Sequence, residues 1–238
     1  MKEIGIFLGC ITKAKEEIAP SFESLFQKTS VSYKFIMEKN CCGAPYFLSG
    51  MTEEFKQNAE KFRDELKKQN VDTLVLNCPY CHSFIKNRYP KYGVEPGVNI
   101  LHITTFLRKL IEEGSLKVKR KLEKETVYHD PCYLGRQGEG IYEDPREVLK
   151  KSTSKLLEFE LSKEETTCCG GNSSIVTYLP HLFTEVSKEK INMQVIPLGA
   201  KVLTTACPHC YFNFSNANKE LENPIEVKHI VQILDEIT

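Results

Sequence analysis

The ten cysteines of this 238-residue chain fall into two copies of one five-cysteine pattern, with none left over. The first copy is Cys10, then Cys41-Cys42-Gly43, then Cys78-Pro79-Tyr80-Cys81; the second is Cys132, then Cys168-Cys169-Gly170, then Cys207-Pro208-His209-Cys210. Cys10 to Cys41 is 31 positions and Cys132 to Cys168 is 36, while Cys42 to Cys78 is 36 and Cys169 to Cys207 is 38. Intervals that repeat so nearly imply two half-molecules of one design. Each half gathers thiols from three separate points along the chain.

Apolar patterning repeats along with the cysteines. Residues 4–8, 31–36, 73–76 and 98–101 read as strands in the first half, and residues 126–128, 156–159, 202–205 and 225–227 in the second. Between strands, Phe55, Ala59, Phe62 and Leu66 recur at i, i+4, i+7 and i+11, one helical stripe able to cover a sheet. Leu182, Val186 and Met193 mark the corresponding helix of the second half. His102 and His229 hold matching places at strand ends, ahead of helical segments 104–111 and 231–237, and read as duplicated packing. This alternation predicts an α/β fold of two tandem, pseudo-twofold-related repeats, each a small parallel sheet with flanking helices. The repeats are expected at 1–114 and 126–238, packed as one unit, with a Lys- and Glu-rich linker at 115–125. The run 117–124 reads as solvated.

In such a fold Cys10, Cys41-Cys42 and Cys78 each follow a strand, and open parallel sheets present their crevices at those carboxyl ends. Pro79 and Pro208 suit the first position of a helix, which would aim free N–H groups and a positive dipole end at an anionic group. The cysteine pairs run on into Gly43-Ala44-Pro45 and Gly170-Gly171-Asn172, where glycine lets backbone amides approach sulfur closely.

Three uses of the thiols compete. A disulfide framework is the usual meaning of an even cysteine count. However, Met1-Lys2-Glu3-Ile4 opens without an apolar signal region and the chain is long enough for an ordinary core, so a reducing cytoplasm is expected. Structural zinc takes four tetrahedral ligands, and each copy supplies five. Adjacent cysteines point in different directions, so Cys41 and Cys42 reach two atoms of a polynuclear cluster more naturally than one ion. Cubane [4Fe–4S] sites commonly use a tight run of Cys-x-x-Cys repeats that is absent here. Five soft ligands favour a larger or more open iron–sulfur centre, with zinc in one half as the alternative. Zero formal net charge, a pI near 7.0 and 27% charged residues give no electrostatic bias toward nucleic acid. No apolar run reaches the ~18 residues of a membrane span.

The doubled Cys…Cys-Cys-Gly…Cys-Pro-x-Cys pattern, with His129-Asp130-Pro131-Cys132-Tyr133-Leu134-Gly135-Arg136 opening its second copy, resembles the cysteine-rich CCG domain family, above all the B-type component of heterodisulfide reductase. Similar domains occur in the iron–sulfur subunits of anaerobic glycerol-3-phosphate dehydrogenase and glycolate oxidase, in lactate-utilisation proteins, and in the anchor subunit of some archaeal succinate dehydrogenases. The resemblance implies two noncubane [4Fe–4S] clusters. Their ligands would be Cys10, Cys41, Cys42, Cys78 and Cys81 for one, and Cys132, Cys168, Cys169, Cys207 and Cys210 for the other. It implies an oxidoreductase subunit that reduces or forms a disulfide between the clusters, each passing one electron and taking one departing thiolate. The alternative is an electron relay between a flavin dehydrogenase and quinone. A zinc-binding structural protein is the third reading.

Expected partners are a ferredoxin-like protein, of the C-type component of heterodisulfide reductase, with cubane [4Fe–4S] clusters; a flavoprotein subunit; and a disulfide or thiol substrate. The chain has neither a GxGxxG fingerprint nor a ferredoxin cysteine run of its own. The expected location is cytoplasmic, with membrane association through partners. Of the remaining polar residues, His129 resembles a family position suited to hydrogen bonding a cluster from behind its ligands. His82 and His209, beside and inside the two Cys-x-x-Cys turns, are candidate proton donors to a thiolate product. Arg136 could attract an anionic substrate or balance cluster charge. Arg146 reads as a solvated helix start.

Overall fold

Among the described residues eight short strands alternate with helices, and the strand order repeats in the two halves. The computed structural model describes residues 3–14, 17–171 and 178–238. The first lobe runs β1 (Glu3–Phe7), α1 (Cys10–Lys13), α2 (Ala19–Gln27), β2 (Tyr33–Phe35), α3 (Ala44–Leu48), α4 (Thr52–Lys68), β3 (Val71–Leu76), α5 (Pro79–Ser83), β4 (Asn99–His102) and α6 (Ile103–Glu112). The second runs β5 (Thr126–His129), α7 (Glu143–Ser152), β6 (Leu156–Leu157), α8 (Pro180–Lys190), β7 (Val202–Thr205), α9 (Pro208–Asn218), β8 (Glu226–His229) and α10 (Ile230–Ile237).

Each lobe is an all-parallel sheet, ordered β2-β1-β3-β4 and β6-β5-β7-β8. The chain enters each sheet at an inner strand, steps to one edge, then returns past its start to the other side. Loops leaving the two inner strands therefore diverge to opposite faces and open a crevice at their carboxyl ends. Equivalent residues also share register: Phe7 lies opposite Leu76, and His129 opposite Thr205, each two residues before a Cys-Pro turn.

Three apolar clusters stack through the molecule. The middle one joins the lobes, combining Phe22, Leu25 and Phe26 of α2 and Leu107 and Leu110 of α6 with Val148 and Leu149 of α7 and Ile230 to Ile237 of α10. Helix α2 packs on α10, and α6 on α7. Polar ties follow the same symmetry: Ser24 and Lys28 hold Asp235 at 2.6 and 2.7 Å, while Thr105 and Arg108 hold Asp144. The outer clusters cover the far face of each sheet. His102 and His229 are buried caps, accepting the backbone N–H of Thr104 and Val231 at the starts of α6 and α10.

The α4 stripe is buried as read, with Phe55, Ala59, Phe62 and Leu66 all inside. The second-lobe stripe is corrected. Leu182, Val186 and Met193 are 53%, 37% and 71% exposed, and the face turned inward carries Phe183, Ser187 and Lys190. Apolar periodicity named the wrong face because the right one is partly polar. The 117–124 run is also more than solvated chain. Lys117, Lys119, Arg120 and Lys121 are exposed, but Leu116 is buried and the amides of Lys119 and Arg120 donate to the Ile237 carbonyl.

Candidate metal centre

Cys78 and Cys207 end their loops in extended conformation and serve as N-caps of α5 and α9, so Pro79 and Pro208 fall in the first turn, where a missing N–H costs nothing. The paired cysteines turn inward through Gly43 at φ 75° and Gly170 at φ 85°, a left-handed conformation that side chains with a Cβ resist. The amides of these glycines donate to the sulfurs of Cys41 and Cys168, both at 3.4 Å. Asn172 lies outside the described residues. Behind Gly43, Asn58 holds the Cys41 carbonyl at 2.9 Å, and a Cβ on the glycine would meet that amide at 2.7 Å. Gly43→Ala is therefore expected to cost about 1–2 kcal/mol in urea unfolding, from the left-handed backbone alone, and to loosen Cys41.

All ten thiols are free. In the first lobe they form a series of neighbouring thiols, Cys10, Cys41, Cys42, Cys81 and Cys78, each shifting the titration of the next. In the second the same series runs Cys132, Cys168, Cys169, Cys210 and Cys207, with Cys169 and Cys210 sulfurs 3.1 Å apart. Hydrogen bonds from Cys10 and Cys132 pull the Cys41 and Cys168 thiols far below the ordinary thiol range. The two series meet where Cys78 and Cys207 stand close enough for each to shift the other's thiol. Burial pushes the Cys78 thiol up, but bonds from Cys207, Cys81 and His209 outweigh it and bring it down.

The residue inside each Cys-Pro-x-Cys turn crosses to the other lobe. His209 stands beside Cys78 of the first lobe and lowers its thiol, and Tyr80 stacks on Tyr133 of the second with ring centroids 4.0 Å apart. Tyr80 and His209 also touch each other, centroids 5.0 Å apart. A cavity of about 320 Å³ opens here, walled by the first-lobe cysteines and by Tyr80, His209, Phe212 and Asn213. That is the low end of small-ligand sites, ~300–1,000 Å³. A larger concavity of about 730 Å³, lined by Arg108, Lys119 and Arg120, lies at the far end of α6 and contains no cysteine.

The other residues singled out in the sequence divide sharply. His129 is fully buried, both ring nitrogens lack a hydrogen-bond partner among the described residues, and it lies within 4.8 Å of the Cys169 and Cys210 sulfurs. Burial holds it neutral. His82 is also buried, its Nε2 3.7 Å from Glu139 and its ring against His102, and it is not among the cavity walls. Burial brings it down to about 4. Arg136 spends its guanidinium on the carbonyls of Glu164 and Thr166, tying the Cys132 loop to the approach to Cys168.

Arg146 corrects the sequence reading. It is 3% exposed, clamps both oxygens of Asp130 at 2.7 and 2.8 Å, and pairs with Glu158 and the Tyr142 carbonyl. A charge at a helix start reads as solvated unless its acids are seen to converge on it. Asp130 precedes Cys132 by two residues, so the clamp fixes that loop. Tyr80, Lys190 and Asn213 were missed. Tyr80 alone carried a signal, by matching His209 between paired cysteines; Asn213 bonds the Cys169 carbonyl and Ser187.

The buried His129 ring, without a partner among the described residues and close to the Cys169 and Cys210 sulfurs, suits a bound group that accepts a hydrogen bond. The donor set is soft sulfur throughout, which favours iron–sulfur over hard-cation chemistry. Fold and site together define a duplicated cysteine-rich α/β protein. The chain belongs to the cysteine-rich CCG domain family, whose profile matches residues 4–86 and 126–215.

Among curated relatives it is 30% identical over 236 residues to the probable iron–sulfur-binding oxidoreductase FadF of Bacillus subtilis, covering 95% of this chain and 32% of that one. It is 28% identical over 242 residues to the D-type component of dihydromethanophenazine:CoB–CoM heterodisulfide reductase of Methanosarcina barkeri, covering 98% and 58%. It is 27% identical over 241 residues to EtfAB:quinone oxidoreductase of Syntrophomonas wolfei, covering 96% and 33%. The chain thus spans between about a third and three fifths of these relatives. A hypothetical protein from Helicobacter pylori shares the fold, with TM-score 0.58 and 13% identity over 100% of this chain and 50% of that one. No helix among the described residues is long and apolar enough to cross a membrane.

Proposed function

We propose that this chain is an iron–sulfur oxidoreductase subunit in which the ten cysteines hold two noncubane [4Fe–4S] clusters, five ligands to each, and that a disulfide is cleaved or formed between them. The observation that carries this is the meeting of the two thiol series at Cys78 and Cys207. When bound, the clusters supply one electron each, and breaking one sulfur–sulfur bond takes two. The chain's own part is placement. Walls at Ile11, Pro45 and Phe212 make the crevice largely apolar. His209, beside Cys78 and walling the cavity, is the residue placed to give a proton to a leaving thiolate; His82 faces Glu139 instead. His129 offers an N–H to the second-lobe sulfurs.

Electrons have to reach the crevice from outside, and a ferredoxin-like protein with cubane clusters and a flavoprotein are the partners this chemistry calls for. The likeness to FadF and to EtfAB:quinone oxidoreductase favours a second reading, electron relay without disulfide chemistry. Anaerobically prepared protein, assayed for iron and for turnover of a small disulfide with reduced methyl viologen, separates the readings. Turnover by iron-loaded protein supports disulfide chemistry. Iron-loaded protein that takes up electrons without turnover supports relay, and zinc in both lobes would sink both.

A further inference from the structure

The duplication provides an internal control, because every wall of one site has a counterpart in the other. Gly43 packs against Phe55 and Asn58, while Gly170 packs against Phe183 and Val186, which sets the register between α4 and α8 at 128 positions. In that register Ala59, Phe62 and Leu66 correspond to Ser187, Lys190 and Gln194. Strand pairing matches Phe7 with His129, and the Cys-Pro turns match Phe84 with Asn213. The first site is thus backed by aromatic packing, with Phe7 edge-on to Phe62 at 5.3 Å. In the second site both members of that pair are replaced by nitrogen-bearing side chains.

Lys190 is the decisive replacement. It is 4% exposed, lies 4.6 Å from the centroid of the Phe159 ring, and donates to the carbonyl and hydroxyl of Thr167 at 3.1 and 2.6 Å, next to Cys168. Buried cations this close to a site are costly unless something negative is held nearby. The Asp130 carboxylate is already engaged by Arg146. Burial brings the Lys190 ammonium down to about 8, and besides Asp130 the groups whose negative charge opposes that loss are Cys169, Cys210 and Cys168. Among the described residues of the first lobe, no lysine occupies the matching position, which is Phe62.

We infer that the two lobes hold redox centres of unequal reduction potential, the second-lobe centre being the higher, and that Lys190 is the positioning residue that raises it. This rests on the cluster reading above. Reduction adds an electron to an already anionic group; a buried ammonium and added N–H donors stabilise the reduced form, whereas aromatic walls do not. Electrons entering the protein settle first in the second lobe, and the first-lobe centre is the stronger reductant of the pair.

The test uses two variants that each keep one centre, Cys41→Ser with Cys42→Ser, and Cys168→Ser with Cys169→Ser. Both are reconstituted with iron and sulfide, assayed for iron, and titrated potentiometrically. The protein keeping the second-lobe centre is expected to be easier to reduce by about tenfold in equilibrium constant or more, which is about 59 mV for a one-electron couple. Adding Lys190→Met should remove most of that advantage there and leave the first-lobe midpoint unmoved. Lys190→Gln keeps a donor toward Thr167 without the charge, and should match Lys190→Met. Equal midpoints, the reverse order, a shift common to both lobes, or an unchanged midpoint in Lys190→Gln would each overturn the inference. The ordering of the two midpoints is read without touching Lys190, so it stands as a test even if the lysine variants assemble poorly. Absence of iron from both variants is a failure of the underlying cluster reading instead.

Discussion

Arg146→Met is expected to destabilise the protein by about 3–5 kcal/mol in urea unfolding, the range for stranding one member of a buried ion pair. The reason lies with Asp130, whose side chain is 2% exposed and which keeps only the Lys163 amide, at 2.9 Å, once the guanidinium is gone. Glu158 contributes less, because at 42% exposure water screens it and resolvates it when unpaired. Arg146→Met should also cost second-lobe iron before first-lobe iron, since Asp130 leads directly into Cys132. Asp130→Asn keeps the shape while removing the charge and is expected to cost less than Arg146→Met. Equal stability of Arg146→Met and the unsubstituted protein would mean that the clamp is incidental.

Removing either cysteine pair, Cys41→Ser with Cys42→Ser or Cys168→Ser with Cys169→Ser, is expected to leave about half the iron and to bring disulfide turnover down to the uncatalysed level. One iron–sulfur centre handles one electron, and a disulfide cleaved with one electron leaves a radical with nowhere to go. The two losses should therefore be grossly non-additive: each pair alone abolishes turnover, and both together do no more. Iron assay and viologen-linked turnover on the same samples check this. A protein with one loaded lobe that cleaves disulfides at the original rate would rule out a shared reaction.

Much of this was legible in the chain because it is written in repeating apolar and thiol residues. The four buried residues of α4 could be picked out by spacing, and each of the eight strand readings overlaps an observed strand, since short apolar runs bounded by polar residues leave few other choices. The counterpart on α8 was misread for a physical reason. Its inner face carries Ser187 and Lys190, which bond the distant Cys169 and Thr167 carbonyls, and the one local partner of the lysine, Gln194, does not announce that it will be buried. Arg146 was hidden in the same way, by acids 16 positions before and 12 after it. The contact between Cys78 and Cys207 was out of reach for a different reason. Spacing within a repeat says nothing about how two repeats face each other.

The seam between the lobes has the form that identical subunits make around a twofold axis, α2 on α10 and α6 on α7, with the same element pair used twice. In an assembly of two identical chains, whatever stood beside Cys78 would have to stand beside its mate as well. Joining the halves in one polypeptide lifts that requirement. Here tyrosine occupies one side of the axis and histidine the other, so the two ends of a molecule lying across it would meet unlike faces, and an unsymmetrical molecule would be held in a defined direction.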